Sequence, residues 1–189
     1  MSFRALVVPE DPTNNGYILK PLVERLLCEC GRPNARVVVL TNPRVSGYEH
    51  AKGLLRSEII ERYSHIDLIL FLPDADGEDR AAEFTDLENQ ANVQGTRMLC
   101  CAAVQEVEVW LLAGHRTKLS IGWRDVRADQ WVKENVFDQF LAEHGDSRRA
   151  GGGRDLLMQE TLRNYRGLLE VCPELQELDR RVREILSLE

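Results

Sequence analysis

Four short apolar runs, FRALVV (3–8), ARVVVL (35–40), HIDLILFL (65–72) and RMLCCAAV (97–104), recur along the chain with helix-period segments between them. This alternation is the strongest constraint on what the chain can fold into. Parallel neighbours in a sheet need a crossover and a helix is the usual one, so strand and helix in turn predict a mainly parallel sheet flanked by helices. The third run does not alternate apolar with polar residues, which predicts a strand covered on both faces. Between the first two runs, Ile18, Leu19, Leu22, Val23, Leu26 and Leu27 fall at 3 to 4 spacing, predicting an amphipathic helix over 17–30 that Gly31 ends. The turn EDPTNNG before it offers Thr13, Asn14 or Asn15 as a cap. Further helices are expected over about 48–63 and 80–92.

Beyond Val104 the pattern changes. QEVEVWLLAG (105–114) reads as a short amphipathic helix, and helices are expected near 128–144, 155–170 and 174–187. The expected architecture is α/β: a four-stranded, mainly parallel sheet with helices over 1–114, and a helical C-terminal extension over 115–189 packed on it. Gly151-Gly152-Gly153 reads as a hinge, a mobile active-site loop or a plain linker.

With 189 residues, 43% hydrophobic and 29% charged, the chain has the composition of a folded soluble protein with a real core. No apolar run approaches the roughly 20 residues that cross a bilayer. The start MSFRALVVPE lacks a signal peptide's basic flank and cleavage site, so a cytoplasmic location without membrane attachment is expected. Cys28, Cys30, Cys100, Cys101 and Cys172 form an odd, irregular set, expected to be buried thiols rather than disulfides or a zinc site. A net charge of -7 argues against coating nucleic acid by bulk electrostatics. A metal-dependent nuclease stays open, because its acids gather at the metal and its basic residues elsewhere. Arg148, Arg149, Arg154, Arg163 and Arg166 fall close together in sequence.

The third run continues as LILFLPDADGEDR, with Asp74, Asp76, Glu78 and Asp79 crowded just past Pro73, while Glu10 follows the first run in VVPED. In open parallel sheets ligands bind outside the carboxyl ends of the strands. If the first and third strands are adjacent, Glu10, Asp74 and Asp76 share that edge. Like charges so placed raise one another's pKa or destabilise the fold, and a divalent cation removes the cost. All-oxygen donors suit Mg²⁺ or Mn²⁺, which would polarise a phosphoryl oxygen and activate a water or hydroxyl. The alternative reading of DADG is an ordinary turn. Asp11, Glu78 and Asp79 are further ligands or supporting groups, though Glu78 and Asp79 also suit the start of the next helix.

An acid after the first strand and an Asp-x-Asp-Gly after a later one, here VVPED and FLPDADG, resemble the TOPRIM pattern of topoisomerases, primases and OLD-type nucleases. QEVEVWLLAG is similar to a Phe-Glu-x-Trp-Leu-Leu segment of small TOPRIM-related proteins, the DUF4276 and RloB families, found near restriction and phage-defence genes. The resemblance covers about residues 3–114. In it Pro12 to Asn15 intervene before Gly16, and Val107 stands where an aromatic residue is common. It implies a Rossmann-like sheet binding Mg²⁺ through Glu10, Asp74 and Asp76, with Glu108 as a further ligand and the first Glu as general acid or base. It also implies a nucleic-acid substrate, DNA before RNA, and an ATPase partner; a homodimer is admitted.

Glu106 and Glu108 lie two apart, so on a helix only one can face the site, and the resemblance selects Glu108; a solvated helix acid is the alternative. His115 and Lys118, with Arg116, are candidate phosphate contacts or surface charges. Arg148, Arg149 and Arg154 read as a phosphate clamp or a solvated loop. Trp123 and Trp131 read as base-stacking rings or as packed core. Two other functions compete: an inactive TOPRIM-like interaction subunit, and a receiver domain with Asp74 as phosphoacceptor.

Overall fold

The computed structural model describes residues 2–187. β1 (Arg4–Val8), β2 (Arg36–Val39), β3 (Leu68–Phe71) and β4 (Met98–Cys100) form one sheet in the order β2-β1-β3-β4, and every pairing is parallel. The expected α/β fold is observed. β1 and β3 are neighbours, with Val8 in register with Phe71. The chain leaves β1 towards β2 on one side and comes back to β3 on the other. The crevice beyond the carboxyl ends of β1 and β3 is therefore the point where the winding reverses.

Both faces of the central strands are covered, as the non-alternating third run requires. Ala5 and Val7 of β1 and Leu68 and Leu70 of β3 point into a core with α1 (Gly16–Glu29), whose buried side chains are the six apolar residues of its 3 to 4 pattern. Leu6, Val8, Ile69 and Phe71 point the other way. They meet α2 (Tyr48–Leu54), the π turn Leu55–Ile59, α3 (Ile60–Arg62) and α4 (Ala81–Val93). Each fully buried Leu, Ile or Phe of this kind contributes about 1.5–3 kcal/mol.

After β4 the chain is helical. α5 (Glu108–Leu112) runs into a 3₁₀ segment (Ala113–Lys118), then α6 (Trp123–Ala128), a π turn (Lys133–Phe137) and α7 (Asp138–His144). A second 3₁₀ segment (Ala150–Gly153) leads to α8 (Arg154–Leu162), α9 (Tyr165–Val171) and α10 (Pro173–Ser187). Val126, Phe137, Leu157, Leu175 and Val182 join the same core cluster as Ala5 and Val7. Trp110, fully buried, donates from Nε1 to Glu174 Oε1 at 2.9 Å and so ties α5 to α10. A Cβ at Gly114 would fall 2.5 Å from Thr161 Cα, a separation that only glycine allows. There Thr161 Oγ1 donates to Leu111 O at 2.7 Å.

Some local expectations need correcting. Asn15 stands at the N-cap of α1 without a side-chain cap bond; Asp11 instead closes the turn ahead of the helix, accepting from Thr13 N at 2.8 Å and Asn14 Nδ2 at 3.2 Å. The three glycines do not form a loose linker. Gly151, Gly152 and Gly153 all have positive φ, and a Cβ at Gly151 would strike the Tyr17 ring at 2.4 Å. They make a packed turn against the start of α1. Among the cysteines, Cys100, Cys101 and Cys172 are buried, but Cys28 is exposed and Cys30 is partly so, because both fall at the end of α1. No described helix is long and apolar enough to cross a membrane.

Candidate active site at the carboxyl edge of the sheet

Pro9 and Glu10 continue directly from β1, and Leu72, Pro73 and Asp74 from β3, so the strand register delivers both acids to one edge. The Asp74 N–H donates to Glu10 Oε2 at 3.2 Å. Asp74 Oδ1 accepts from Val107 N at 2.7 Å, just ahead of α5. Asp74 also bridges to Ala103 beyond β4. Three segments far apart in sequence are thus fastened around one carboxylate.

The loop after Asp74 is backbone-locked. Ala75 N donates to Ala103 O and Gln105 O, each at 3.0 Å, and Asp76 N donates to Gln105 O at 3.1 Å. Asp76 (φ 52°) and Gln105 (φ 68°) are the positive-φ residues other than glycine among those described. A left-handed glutamine costs of order 1–3 kcal/mol, and such strain concentrates at functional sites. Asp76 is exposed at the rim. Asp79 Oδ1 accepts from Ala81 N at 2.9 Å and starts α4, while Glu78 is exposed. Within DADGED, Asp79 belongs to the start of α4, while Asp74 is fastened to Glu10 and Val107 at the sheet edge.

Electrostatics single out Asp74. Burial, then the Glu108, Glu10 and Asp76 carboxylates, hold its pKa well above the ordinary carboxylate value, against the opposing Val107 N–H. Glu10 is raised by burial and by Asp76. Glu108, only 1% exposed, is raised by burial and partly restored by Lys133 and Arg154. Its Oε1 has no hydrogen-bond partner, with Lys133 Nζ 4.0 Å away. An ionised carboxylate oxygen buried without a donor needs a proton or a cation.

Glu106 is also at this edge. It precedes α5, so the helical angle that predicts divergence from Glu108 does not apply to it. Its Oε2 accepts from Lys133 N at 2.8 Å, and burial pushes its pKa up to about 7. Lys133 is the residue that sequence reading misses. Burial opposes its charge, but Glu108, Glu106, Asp74 and Asp11 outweigh that and hold its pKa above the ordinary lysine value. It sits at the first position of a π turn, a feature frequent at functional sites but invisible in the sequence.

The basic candidates divide. Arg154 is nearly buried, donates to Gly151 O at 2.8 Å, lies over the Phe137 ring and acts on Glu108. Arg148 and Arg149 instead pair with Asp146 and Asp155 on the surface. His115 is buried beside Phe140 with Nε2 at 3.0 Å from Leu157 O and serves packing, while Lys118 pairs with Glu160 on the surface; both lie beyond the far end of α5. Trp123 is packed against the core, whereas Trp131 is 68% exposed. Trp131 sits between Gln130, which packs against Gly77, and Lys133.

Among the described residues, no three acidic, histidine or cysteine side chains already meet at ligand distance around one point. The carboxylates line an open edge rather than a closed cage. An octahedral cation that keeps several waters uses only one or two direct carboxylates. The oxygen-only donors and the orphaned Glu108 Oε1 fit such a hard divalent ion. No protein-family model matches the chain, and no curated protein matches it in sequence.

Proposed function

We propose that the carboxyl edge of β1 and β3 binds Mg²⁺ or Mn²⁺ and cleaves phosphodiesters of nucleic acid, DNA before RNA, in the manner of a TOPRIM-type nuclease. One observation carries this reading: the partly buried Asp74 is fastened by its N–H to Glu10 Oε2 at 3.2 Å and by its Oδ1 to Val107 N at 2.7 Å, which brings it together with Glu10 and the segment that carries Glu108. A divalent cation offsets the mutual repulsion of such a cluster. The likeness of VVPED, FLPDADG and QEVEVWLLAG to TOPRIM segments supports it.

A bound divalent ion supplies charge neutralisation at the phosphoryl oxygens and a more acidic water. The chain's own residues do the rest. Glu10, Asp74 and Glu108 would hold the ion, one or two of them directly and the rest through its waters, with Asp76 at the exposed rim. Glu10, partly exposed and with a raised pKa, takes or gives a proton at the attacking or leaving oxygen. Lys133, 4.0 Å from Glu108 Oε1, opposes the upward shift of that buried carboxyl and offsets charge as the phosphate arrives. Trp131, two residues before Lys133 in the chain, presents an exposed ring on which a base could stack, a contact worth about 1–3 kcal/mol. The surface is acidic overall, which favours work alongside a partner such as an ATPase, or as a homodimer, within the cytoplasm.

The receiver reading is less well supported. Cys101, Ala102 and Ala103 follow β4 without a hydroxyl, and the described sheet has four strands, so no fifth-strand lysine is present in it. An inactive interaction subunit makes a different prediction from an enzyme. End-labelled single-stranded and duplex DNA incubated with the protein and Mn²⁺ is expected to be cut, with loss of cutting in EDTA and in Glu10→Gln. Cutting that survives Glu10→Gln would show contamination or a different site. Intact DNA together with an unchanged phenotype of Glu10→Gln in cells would favour the interaction subunit.

A further inference from the structure

A second feature lies away from the acids, near the opposite end of α1. Arg25, Arg163, Arg166 and Arg183 line a pocket of about 320 Å³, with Glu29 and Tyr165 among its walls. Arg25 is nine residues beyond Gly16, so the pocket stands about 14 Å along the helix from the acidic end.

Two of the four guanidiniums are built into the wall. Arg183 donates to both oxygens of Asp179, at 2.7 and 3.2 Å, and to Glu29 O at 2.9 Å. Asp179, 7% exposed, also accepts from the Tyr165 hydroxyl at 2.9 Å. Arg25 pairs with Glu29 at 2.7 Å and lies over the Tyr165 ring. Arg163 and Arg166 are different. Both are exposed, and among the described residues neither side chain has a hydrogen bond, ion pair or ring contact.

The pocket thus gathers four positive charges against Glu29 and the underlying Asp179, in a chain whose net charge is -7. Arg25 and Arg183 are already paired with Glu29 and Asp179, so Arg163 and Arg166 are the two charges that remain to be met by an anion. Guanidinium forks match the oxygens of a phosphoryl group, which they bind in pairs, and arginine is the side chain that does this best. The volume falls at the lower end of the range for small-molecule pockets, about 300–1,000 Å³. We propose that this pocket binds a phosphoryl group, with Arg183 and Arg25 as fixed walls and Arg163 and Arg166 closing on the ligand. The assignment does not depend on the cation site.

The shared chemistry has two sources, a backbone phosphate of nucleic acid or a free phosphate compound. The full chain in EDTA is titrated with inorganic pyrophosphate at constant ionic strength, followed by melting temperature and calorimetry. Separately, a labelled single-stranded oligonucleotide is titrated by fluorescence anisotropy. Pyrophosphate is expected to raise the melting temperature of the unaltered chain. The double variant Arg163→Gln/Arg166→Gln is expected to lose about tenfold or more in affinity, since two charge-assisted contacts are removed. Arg148→Gln, which removes an exposed arginine elsewhere, is expected to leave pyrophosphate binding unchanged. A parallel loss of oligonucleotide affinity in the double variant identifies backbone phosphate as the source, while a loss confined to pyrophosphate identifies a free ligand. The proposal is overturned if pyrophosphate leaves the melting temperature unmoved, or if the double variant binds it as the unaltered chain does.

Discussion

Asp74→Asn is expected to raise the melting temperature of the metal-free protein at mildly alkaline pH and to remove the further gain that Mn²⁺ gives the unaltered chain. Asparagine keeps the acceptor for Val107 N, so the segment ahead of α5 stays fastened. What it removes is a largely buried charge facing Glu108, Glu10 and Asp76. Relief of about 1–2 kcal/mol, as when an uncompensated buried charge is neutralised, corresponds to about 2–8 °C in a chain of this size. The sign follows from the direction of the shift. A carboxyl whose folded pKa is raised binds its proton more tightly in the native state, so its penalty is present above the folded pKa and disappears as pH falls through it. The gain from Asp74→Asn therefore shrinks on acidification towards the ordinary carboxylate range. Thermal melts in EDTA across pH check this, and a variant that melts below the unaltered chain at alkaline pH would show Asp74 to be a structural acceptor only.

Lys133→Met is expected to have the opposite effect. It leaves Glu108 buried beside an apolar side chain and deprives Glu106 of a nearby cation. Because Lys133 is about a third exposed and its contact with Glu108 is long, the loss is set at about 1–3 kcal/mol rather than that of a tight buried pair. The unaltered, metal-free chain should already lose stability as pH rises from the ordinary carboxylate value of 4.5 towards about 7, the raised value of Glu106. Lys133→Met steepens that fall and moves it to higher pH. Denaturant unfolding at several pH values in EDTA measures both slopes; equal slopes would mean that Lys133 does not compensate these acids.

The parts of this arrangement that were legible in the sequence are those set by strand order. LILFLP ends in a strand covered on both faces, and VVPED follows another, so Glu10 and Asp74 meet once β1 and β3 pair. The same reasoning reached Glu108 only through resemblance. It misplaced Glu106 because it extended α5 backwards over residues that form a loop, where helical angles do not hold. Lys133 was hidden for a different reason: it reaches the site through a π turn in the C-terminal half, and no local pattern announces that contact. The arginines near the glycines looked alike in sequence. Tertiary packing separates Arg154, beneath the site, from Arg148 and Arg149, each paired with a local aspartate. Trp131 and Trp123 were likewise equivalent until burial distinguished them.

The opening loop of this site also shows how strain and chemistry coincide. Gln105 and Asp76, both with positive φ, are joined by the Asp76 N to Gln105 O bond, directly beside the buried acid. Their backbone fixes Asp74 and Val107 relative to each other before any ligand arrives, which is the preorganisation a cation site requires.

The most direct test is a titration of the full chain with Mn²⁺ followed by its electron paramagnetic resonance signal, with Asp74→Asn, Glu10→Gln and Glu78→Gln in parallel. Binding to the unaltered chain and to Glu78→Gln, with binding lost in Asp74→Asn and Glu10→Gln, is the predicted result. Mn²⁺ that fails to bind the unaltered chain, or binds all four proteins alike, would contradict the assignment of this edge as a divalent-cation site.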